Sequence, residues 1–140
     1  MPETVYTAEA LSTGGGRNGH VRSADGAIDL DLRVPKELGG AGGAANPEVL
    51  FASGYAGCFH SALLGAARAK KVDVTGSSVG ARVSLERAGD DIGLAVHLEV
   101  VIPDVPSDVA HELAELAHAN CPYSKAVRGN IRVTVDVSDD

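Results

Sequence analysis

The sequence has no tryptophan, only two phenylalanines and three tyrosines, and only two cysteines in 140 residues. Basic residues are also scarce, since 12 lysines and arginines face 19 aspartates and glutamates and leave a formal net charge of −7. A protein that binds nucleic acid usually has a basic patch interleaved with aromatic side chains, and this composition provides little of either. We therefore expect no nucleic-acid partner.

The same scarcity of cysteine excludes a disulfide-stabilised secreted scaffold, which needs several crosslinks. The N-terminal residues MPETVYTAEA have neither the basic region nor the apolar region of a signal peptide, so we expect a cytoplasmic protein. In that compartment a pair of cysteines is more often redox-active or metal-binding than a static crosslink. The length favours a single domain over residues 1–140.

One run, residues 49–67, has no charged side chain and is long enough to be considered as a membrane span. It is rich in glycine, alanine and serine and contains His60, so its apolarity is marginal for that purpose. A buried helix in a protein core is the better interpretation, and we expect no membrane partner.

Capping residues and periodicity predict two helices. Asn46 is a good N-cap, Pro47 fits the first helical position, and Glu48 suits the positive end of the helix dipole. The first helix is therefore expected to begin there and to run to about Lys71. A second helix is expected over about 107–120, with its apolar residues on one face.

Alternation of apolar and polar residues predicts several strands, two of which flank the turn sequence AGDDIG as an antiparallel hairpin. Two further strands are joined at Asp25-Gly26. The predicted strands cover residues 4–11, the two halves of 20–34, 80–88, 92–102 and 131–137. These elements predict an α+β fold of antiparallel sheets and two main helices, the first of them long, central and buried.

The first predicted helix is apolar on nearly every side and roughly 39 Å long at 1.5 Å per residue. One amphipathic helix and one sheet face can hardly enclose it, so we predict a close homodimer in which a second copy supplies the missing cover. Small residues such as Gly54, Gly57 and Gly65 would permit the close approach. A surface helix with a ligand groove is the alternative.

Gly40 to Ala45 formally match the G-x-G-x-x-A pattern of a dinucleotide-binding loop. The acidic residue expected on a strand about twenty positions later is missing, because that span is predicted to be helical. No Walker lysine follows the glycines either. We therefore expect no cofactor.

Cys58, inside the apolar run, is inert packing unless a cation lies beside it, because only about 3% of an unperturbed thiol is ionised at pH 7 and burial lowers that fraction. Arg17 in the loop GGGRNG is the candidate cation. An arginine–thiolate contact at about 4 Å is worth ~4 kcal/mol at an effective dielectric constant of about 20. Glu48, on the far side of Arg17, could hold the guanidinium bidentately and direct it at the sulfur.

Cys121 lies in HANCPYSKAVRGN, where Asn120 and Pro122 indicate the end of a helix. A sulfur at such a chain reversal could meet Cys58. The two thiols then allow a redox cycle in which one becomes a sulfenic acid and the other condenses with it to a disulfide.

A zinc site is the competing interpretation, since two cysteines and two histidines suit zinc. Its ligands would be Cys58, His60, His118 and Cys121. On a helix, however, side chains two positions apart diverge by about 200°, so Cys58 and His60 cannot readily share a metal. We expect no metal, while inert packing, thiol chemistry and zinc all remain open from these residues alone.

Five stretches of the sequence, in order along nearly the whole chain, carry a family resemblance. They are GGGRNGHVRSADG, PKELGGAGGAANPE, LFASGYAGCF, GLAVHLEV and CPYSKAVRGNIRV. They resemble the organic hydroperoxide resistance (Ohr) branch of the peroxidase superfamily that is shared with the osmotically inducible (OsmC) proteins. The resemblance implies an OsmC-like α+β fold, an intertwined homodimer and active sites at the subunit interface. The osmotically inducible branch is the near alternative.

The resemblance also implies a thiol peroxidase that reduces alkyl and fatty-acid hydroperoxides to alcohols. By similarity, Cys58 would be the peroxidatic cysteine and Cys121 the resolving one, joined as a disulfide after a sulfenic acid forms. Arg17 and Glu48 match the activating pair of the family. Dihydrolipoyl groups on lipoylated proteins, or another dithiol, would re-reduce the disulfide.

The substrate class also has a reason in the residues themselves. Phe51, Tyr55 and Phe59 lie within about two helical turns of Cys58 and are predicted to line a pocket for an alkyl chain. A dry pocket would favour a hydroperoxide with a hydrocarbon tail over hydrogen peroxide.

Overall fold

The computed structural model describes residues 2–140 and shows the predicted α+β fold. Within that range three helices and six strands occur, with short 3-10 helices at Gly16–Asn18 and Lys36–Leu38. The helices are α1 (Pro47–Lys70), α2 (Ser107–Asn120) and α3 (Pro122–Val127). The strands are β1 (Ala10–Thr13), β2 (His20–Ser23), β3 (Asp29–Asp31), β4 (Ser78–Ala88), β5 (Asp91–Val101) and β6 (Val133–Ser138).

Two compact units divide the chain, one ending at Leu50 and the other covering Phe51–Asp140. The boundary falls inside α1, whose first turn belongs to the first unit. The prediction of a single domain over residues 1–140 stays a prediction.

The first unit contains the antiparallel sheet β1-β2-β3, in which β2 and β3 are the two strands predicted around Asp25-Gly26. The predicted strand at 4–11 is wrong in its bounds, because β1 begins only at Ala10 and the residues before it are exposed. Between β1 and β2 the chain folds back tightly, and a Cβ at Gly19 would overlap the carbonyl oxygen of Thr13. Asn18 Oδ1 accepts a hydrogen bond of 3.0 Å from the backbone N–H of Val34. The loop that carries Arg17 is thus held in place within its unit.

The second unit contains the sheet β4-β5-β6. The predicted hairpin is confirmed, since β4 and β5 pair antiparallel along their whole length. The prediction of purely antiparallel sheets is wrong, because β6 pairs parallel to β5 from Val96↔Val133 to Val101↔Ser138. The connection between these strands contains α2 and α3, and such a helical crossover is what parallel pairing requires. The sheet is therefore mixed.

Helix α1 begins as its capping residues predict, with Asn46 Oδ1 accepting a hydrogen bond of 2.9 Å from the backbone N–H of Val49. Its buried residues recur every four positions and form one stripe, which packs in the core with the inner residues of β5 and one face of α2. The stripe consists of Tyr55, Phe59, Leu63 and Ala67. The core around it includes Val96, Leu98, Val100, Ile102, Ala110, Leu113 and Ala117.

Within the second unit, the other residues of α1 are only partly covered or are exposed. Among residues 2–140, α1 is the one helix with the length and apolarity of a possible membrane span, a test that core helices of soluble proteins also pass. Only 17% of its most apolar window, of mean hydropathy 1.3, is buried. The sheet and α2 cover one side of α1, which agrees with the expectation that these elements alone cannot enclose the helix. Its burial by a second copy of the chain stays a prediction.

A charged cluster on the first sheet is expected to make stability depend on pH. His20 on β2 contacts the carboxylates of Asp31 and Asp29 on β3, and these hydrogen bonds raise the pKa of the imidazole, Asp31 contributing most. A raised folded-state pKa means that this stabilisation is complete below the unfolded value of about 6.5 and is lost as pH rises through the folded value.

We expect His20→Asn to flatten the dependence of melting temperature on pH above about 6.5, where the ion pair of the unmodified protein is lost. Parallel thermal unfolding of the two proteins from pH 5 to 9 measures this. Equal slopes in both proteins would show that the His20 cluster does not contribute to stability.

Candidate active site

The two cysteine sulfurs lie side by side. Cys58 is on α1 and is partly exposed, whereas Cys121 lies between α2 and α3 and is fully buried. Their Sγ atoms are 3.5 Å apart, with the Cys121 thiol donating to Cys58 Sγ. A disulfide needs an S–S distance of about 2.05 Å, so the sulfurs must approach by only about 1.5 Å to bond. The geometry suits reversible oxidation of the pair.

The position of Cys121 follows from the local sequence. Helix α2 ends at Asn120, Cys121 is extended with φ −62° and ψ 124°, and Pro122 opens α3. Proline at the first helical position is favourable because that residue needs no N–H partner. The sequence predicted a chain reversal here and no third helix, although Pro122 after Asn-Cys is a signal for a helix start.

Burial raises the pKa of the Cys58 thiol. The backbone N–H of Tyr123 lowers the pKa of Cys58 by a hydrogen bond, and the neighbouring Cys121 thiol raises it. Within its own unit, then, the environment of Cys58 favours the protonated thiol over the thiolate. A peroxidatic role at neutral pH needs a further source of positive potential.

Two aromatic rings of α1 pack against the ring of Tyr123, the residue that holds this N–H. The Tyr123 ring lies 6.3 Å from Phe51 and 5.7 Å from Tyr55, measured between centroids. A Cβ on Gly54 would lie 2.7 Å from the Tyr123 hydroxyl oxygen, so glycine at that position lets the ring approach α1. The aromatic packing thereby holds Tyr123 beside α1.

A groove of about 640 Å³ opens at Cys58 and is lined mainly by small and apolar side chains of α1 and α2. Its lining is Cys58, Ser61, Ala62, Gly65, Ala66, Ala69, Lys70, Leu116, Asn120 and Pro122. None of the three predicted pocket residues lines it. Tyr55 and Phe59 are fully buried in the core instead, which is at odds with the prediction that they line an alkyl pocket, and for half-buried Phe51 that role stays a prediction.

Arg17 and Glu48, both in the first unit, form a bidentate ion pair. Arg17 Nη1 donates to Glu48 Oε2 at 2.9 Å, and Nη2 donates to Oε1 at 2.7 Å. The hydrogen bonds from Arg17 lower the pKa of Glu48, and those to Glu48 raise the pKa of Arg17. Since the arginine side chain is 44% exposed, the pair contributes at most about 1 kcal/mol to stability, and its value lies in fixing the guanidinium. The predicted action of Arg17 on Cys58 stays a prediction.

The proposed zinc ligands do not converge. His60 Nε2 pairs with Ser77 Oγ at 3.0 Å, and His118 Nδ1 pairs with Ser124 Oγ at 2.8 Å. Across residues 2–140 no three side chains of His, Cys, Asp or Glu come together in a way that could hold a metal ion. These contacts disfavour the zinc interpretation.

The chain is similar to a known protein family and to several of its members. Residues 40–136 match the model of the OsmC-like protein family. The organic hydroperoxide resistance protein of Xanthomonas axonopodis pv. citri is 43% identical over 140 residues, covering 98% of each chain.

Two crystal structures are similar to the chain along nearly its full length. An organic hydroperoxide resistance protein from Elizabethkingia anophelis is 45% identical with a TM-score of 0.93, covering 99% of this chain and 100% of its own. A putative organic hydroperoxide resistance protein from Vibrio cholerae, with captopril in one of its active sites, is 43% identical with a TM-score of 0.90. The match covers 98% of this chain and 94% of that one.

Proposed function

Because the chain belongs to the OsmC-like family and to its organic hydroperoxide resistance branch, we propose that it is a thiol peroxidase that reduces organic hydroperoxides to alcohols. The observation that carries this proposal is the pair of free thiols 3.5 Å apart, one of them at an apolar groove. The sequence left the osmotically inducible branch as an alternative. The relatives named above are organic hydroperoxide resistance proteins and therefore favour the other branch.

In the first step, the thiolate of Cys58 attacks the terminal oxygen of the hydroperoxide. The O–O bond breaks, the sulfur loses two electrons and becomes a sulfenic acid, and the alkoxide takes up a proton to leave as the alcohol. The groove at Cys58, with its small and apolar lining, suits the hydrocarbon part of an alkyl or fatty-acid hydroperoxide.

In the second step, the thiol of Cys121 condenses with the sulfenic acid. The S–S bond forms, and the sulfenic oxygen leaves as water with the proton of Cys121. The separation of 3.5 Å supports this step because little movement is needed. A dithiol, such as dihydrolipoamide on a lipoylated protein, then returns both cysteines to thiols.

Arg17 and Glu48 act together in the first step of this proposal. The fixed guanidinium of Arg17 stabilises the Cys58 thiolate, opposing the effect of burial on the thiol pKa, and it stabilises the alkoxide that leaves. Glu48 orients the guanidinium through its bidentate pair. Both roles come from the sequence and the family, and the ion pair supports them.

The protein acts in the cytoplasm as a homodimer in this proposal. The uncovered apolar length of α1 supports the dimer, since a second copy would remove that surface from water. The several active sites of the Vibrio cholerae relative are consistent with an assembly of more than one chain.

The proposal is tested by counting free thiols and bound zinc before and after one equivalent of an alkyl hydroperoxide. We expect two thiols per chain to disappear, one equivalent of alcohol to form, and no zinc to be present. In Cys121→Ser, one equivalent is still consumed, but the sulfenic acid persists or is over-oxidised. Unchanged thiols would overturn the proposal, and stoichiometric zinc would favour the metal-site interpretation.

A further inference from the structure

Ser124, in the first turn of α3, is fully buried, and among residues 2–140 it is the one buried residue of a polar or charged type. Its hydroxyl has two partners from different helices. The hydroxyl oxygen of Tyr55 on α1 lies 2.7 Å from Ser124 Oγ, and His118 Nδ1 on α2 lies 2.8 Å from the same atom. One hydroxyl therefore joins three helices in the interior of the second unit.

The two hydrogen bonds of Ser124 can be oriented so that both the Tyr55 and the Ser124 hydroxyl protons have an acceptor. Burial raises the pKa of Tyr55 and lowers the pKa of His118, where Arg128 adds to the effect, so the phenol is protonated and the imidazole neutral at neutral pH. Tyr55 then donates to Ser124, and Ser124 donates to His118 Nδ1. The opposite direction would leave the buried Tyr55 proton without this acceptor, which costs free energy.

The segment Cys121–Ser124 also contains two groups that contact the Cys58 sulfur. Cys121 begins it, and the backbone N–H of Tyr123 within it donates to Cys58 Sγ. The C-terminal end of α3 is tied to α2 as well, because Arg128, the residue after α3, donates from Nη2 to the carbonyl oxygen of His118 at 2.6 Å. Movement of Cys121–Ser124 relative to α1 would thus change both the distance between the sulfurs and the N–H contact to Cys58.

We propose that Ser124, held between Tyr55 and His118, is a positioning residue that keeps Cys121 against Cys58 and so determines how completely the oxidised Cys58 closes to a disulfide. This inference rests on the proposed function. It assigns to the Tyr55–Ser124–His118 network the protection of Cys58 from irreversible oxidation.

Two reactions compete for the Cys58 sulfenic acid. Attack by Cys121 forms the disulfide and releases water, whereas attack on a second hydroperoxide transfers its terminal oxygen to the sulfur, giving a sulfinic acid and a second alcohol. The hydroperoxide substrate supplies the oxidant for both oxidation steps. A displaced Cys121 slows only the first of the two competing reactions, so the sulfinic fraction rises.

The test compares Ser124→Ala with the unmodified protein and with Ser84→Ala, a matched control at an exposed position of β4. Rapid mixing with an alkyl hydroperoxide separates sulfenic acid formation from disulfide closure, and mass spectrometry measures the sulfinic fraction. For Ser124→Ala we expect closure to slow about tenfold, the effect of one buried hydrogen bond, with less than threefold change in the first step. Tyr55→Phe should act in the same direction with a smaller effect, and Ser124→Thr should restore closure at least partly.

A second readout needs no peroxide. Equilibration of each protein in glutathione redox buffers measures how strongly the Cys58–Cys121 disulfide is favoured, and Ser124→Ala should lower that equilibrium constant about tenfold. If the unmodified protein did not reduce hydroperoxides but Ser124→Ala still lowered the disulfide equilibrium constant, the proposed function would be rejected. The positioning role of Ser124 would then be retained. Closure rate, sulfinic fraction and redox equilibrium all unchanged in Ser124→Ala and Tyr55→Phe would overturn the inference, as would equal slowing of both steps.

Discussion

Cys58→Ser is expected to abolish reduction of organic hydroperoxides, lowering kcat/KM by on the order of 10³-fold or more. A serine hydroxyl is far less acidic and less nucleophilic than a thiol, so no oxygen transfer to residue 58 takes place. Hydroperoxide consumption in the presence of a dithiol such as dihydrolipoamide measures the loss. The substitution is small and Cys58 is only partly buried, so the melting temperature should change little.

Cys121→Ser is the matched control, because it removes the other thiol of the same pair. It should retain one round of hydroperoxide reduction, whereas Cys58→Ser should show none. Turnover by Cys58→Ser at the rate of the unmodified protein would contradict the assignment of Cys58 as the nucleophile.

Arg17→Ala is expected to lower the rate of the first step at pH 7 by about 10- to 100-fold. Loss of even half of an interaction of ~4 kcal/mol would raise the pKa of Cys58 by about 1.5 units, which lowers the thiolate fraction by up to about 30-fold. Loss of support for the alkoxide adds to this effect. Because the defect is one of ionisation, it should shrink as pH rises and the thiolate forms without help.

Two variants separate charge from geometry in the Arg17 prediction. Arg17→Lys keeps the charge but loses the bidentate fork that contacts Glu48, so it should recover part of the rate. Glu48→Gln keeps the size of the side chain but weakens its hold on the guanidinium, so an intermediate rate is expected. Stopped-flow rates from pH 6 to 10 measure all three variants. A profile of Arg17→Ala that matches the unmodified protein would identify another activator.

Local signals predicted most of the secondary structure. The Asn46-Pro47 sequence gave the start of α1, the apolar face of 107–120 gave α2 with its observed bounds, and alternation gave the β4–β5 hairpin. These features depend on neighbouring residues only. The parallel pairing of β6 depends instead on the path of a long connection, and its alternating sequence is compatible with either direction.

In the candidate site, the sequence predicted the cysteine pair but not the side chains whose positions depend on tertiary packing. Cys58 and Cys121 drew attention because they are the two cysteines, and the structure brings them together. Ser124 was not predicted as a site residue, because no sequence pattern distinguishes a buried serine from an exposed one. Tyr55 and Phe59 are close to Cys58 in sequence, but they lie on the stripe that faces the core, so closeness along a helix did not mean a shared pocket.

Cys58 is expected to react as a thiolate at neutral pH although its own burial favours the thiol. The most direct measurement is the pH dependence of the rate at which iodoacetamide alkylates Cys58 in Cys121→Ser, where a single thiol remains. We expect a midpoint well below the unperturbed value of about 8.5, and we expect it to move upward when Arg17 is also replaced by alanine. A midpoint at or above about 8.5 with Arg17 present would contradict it.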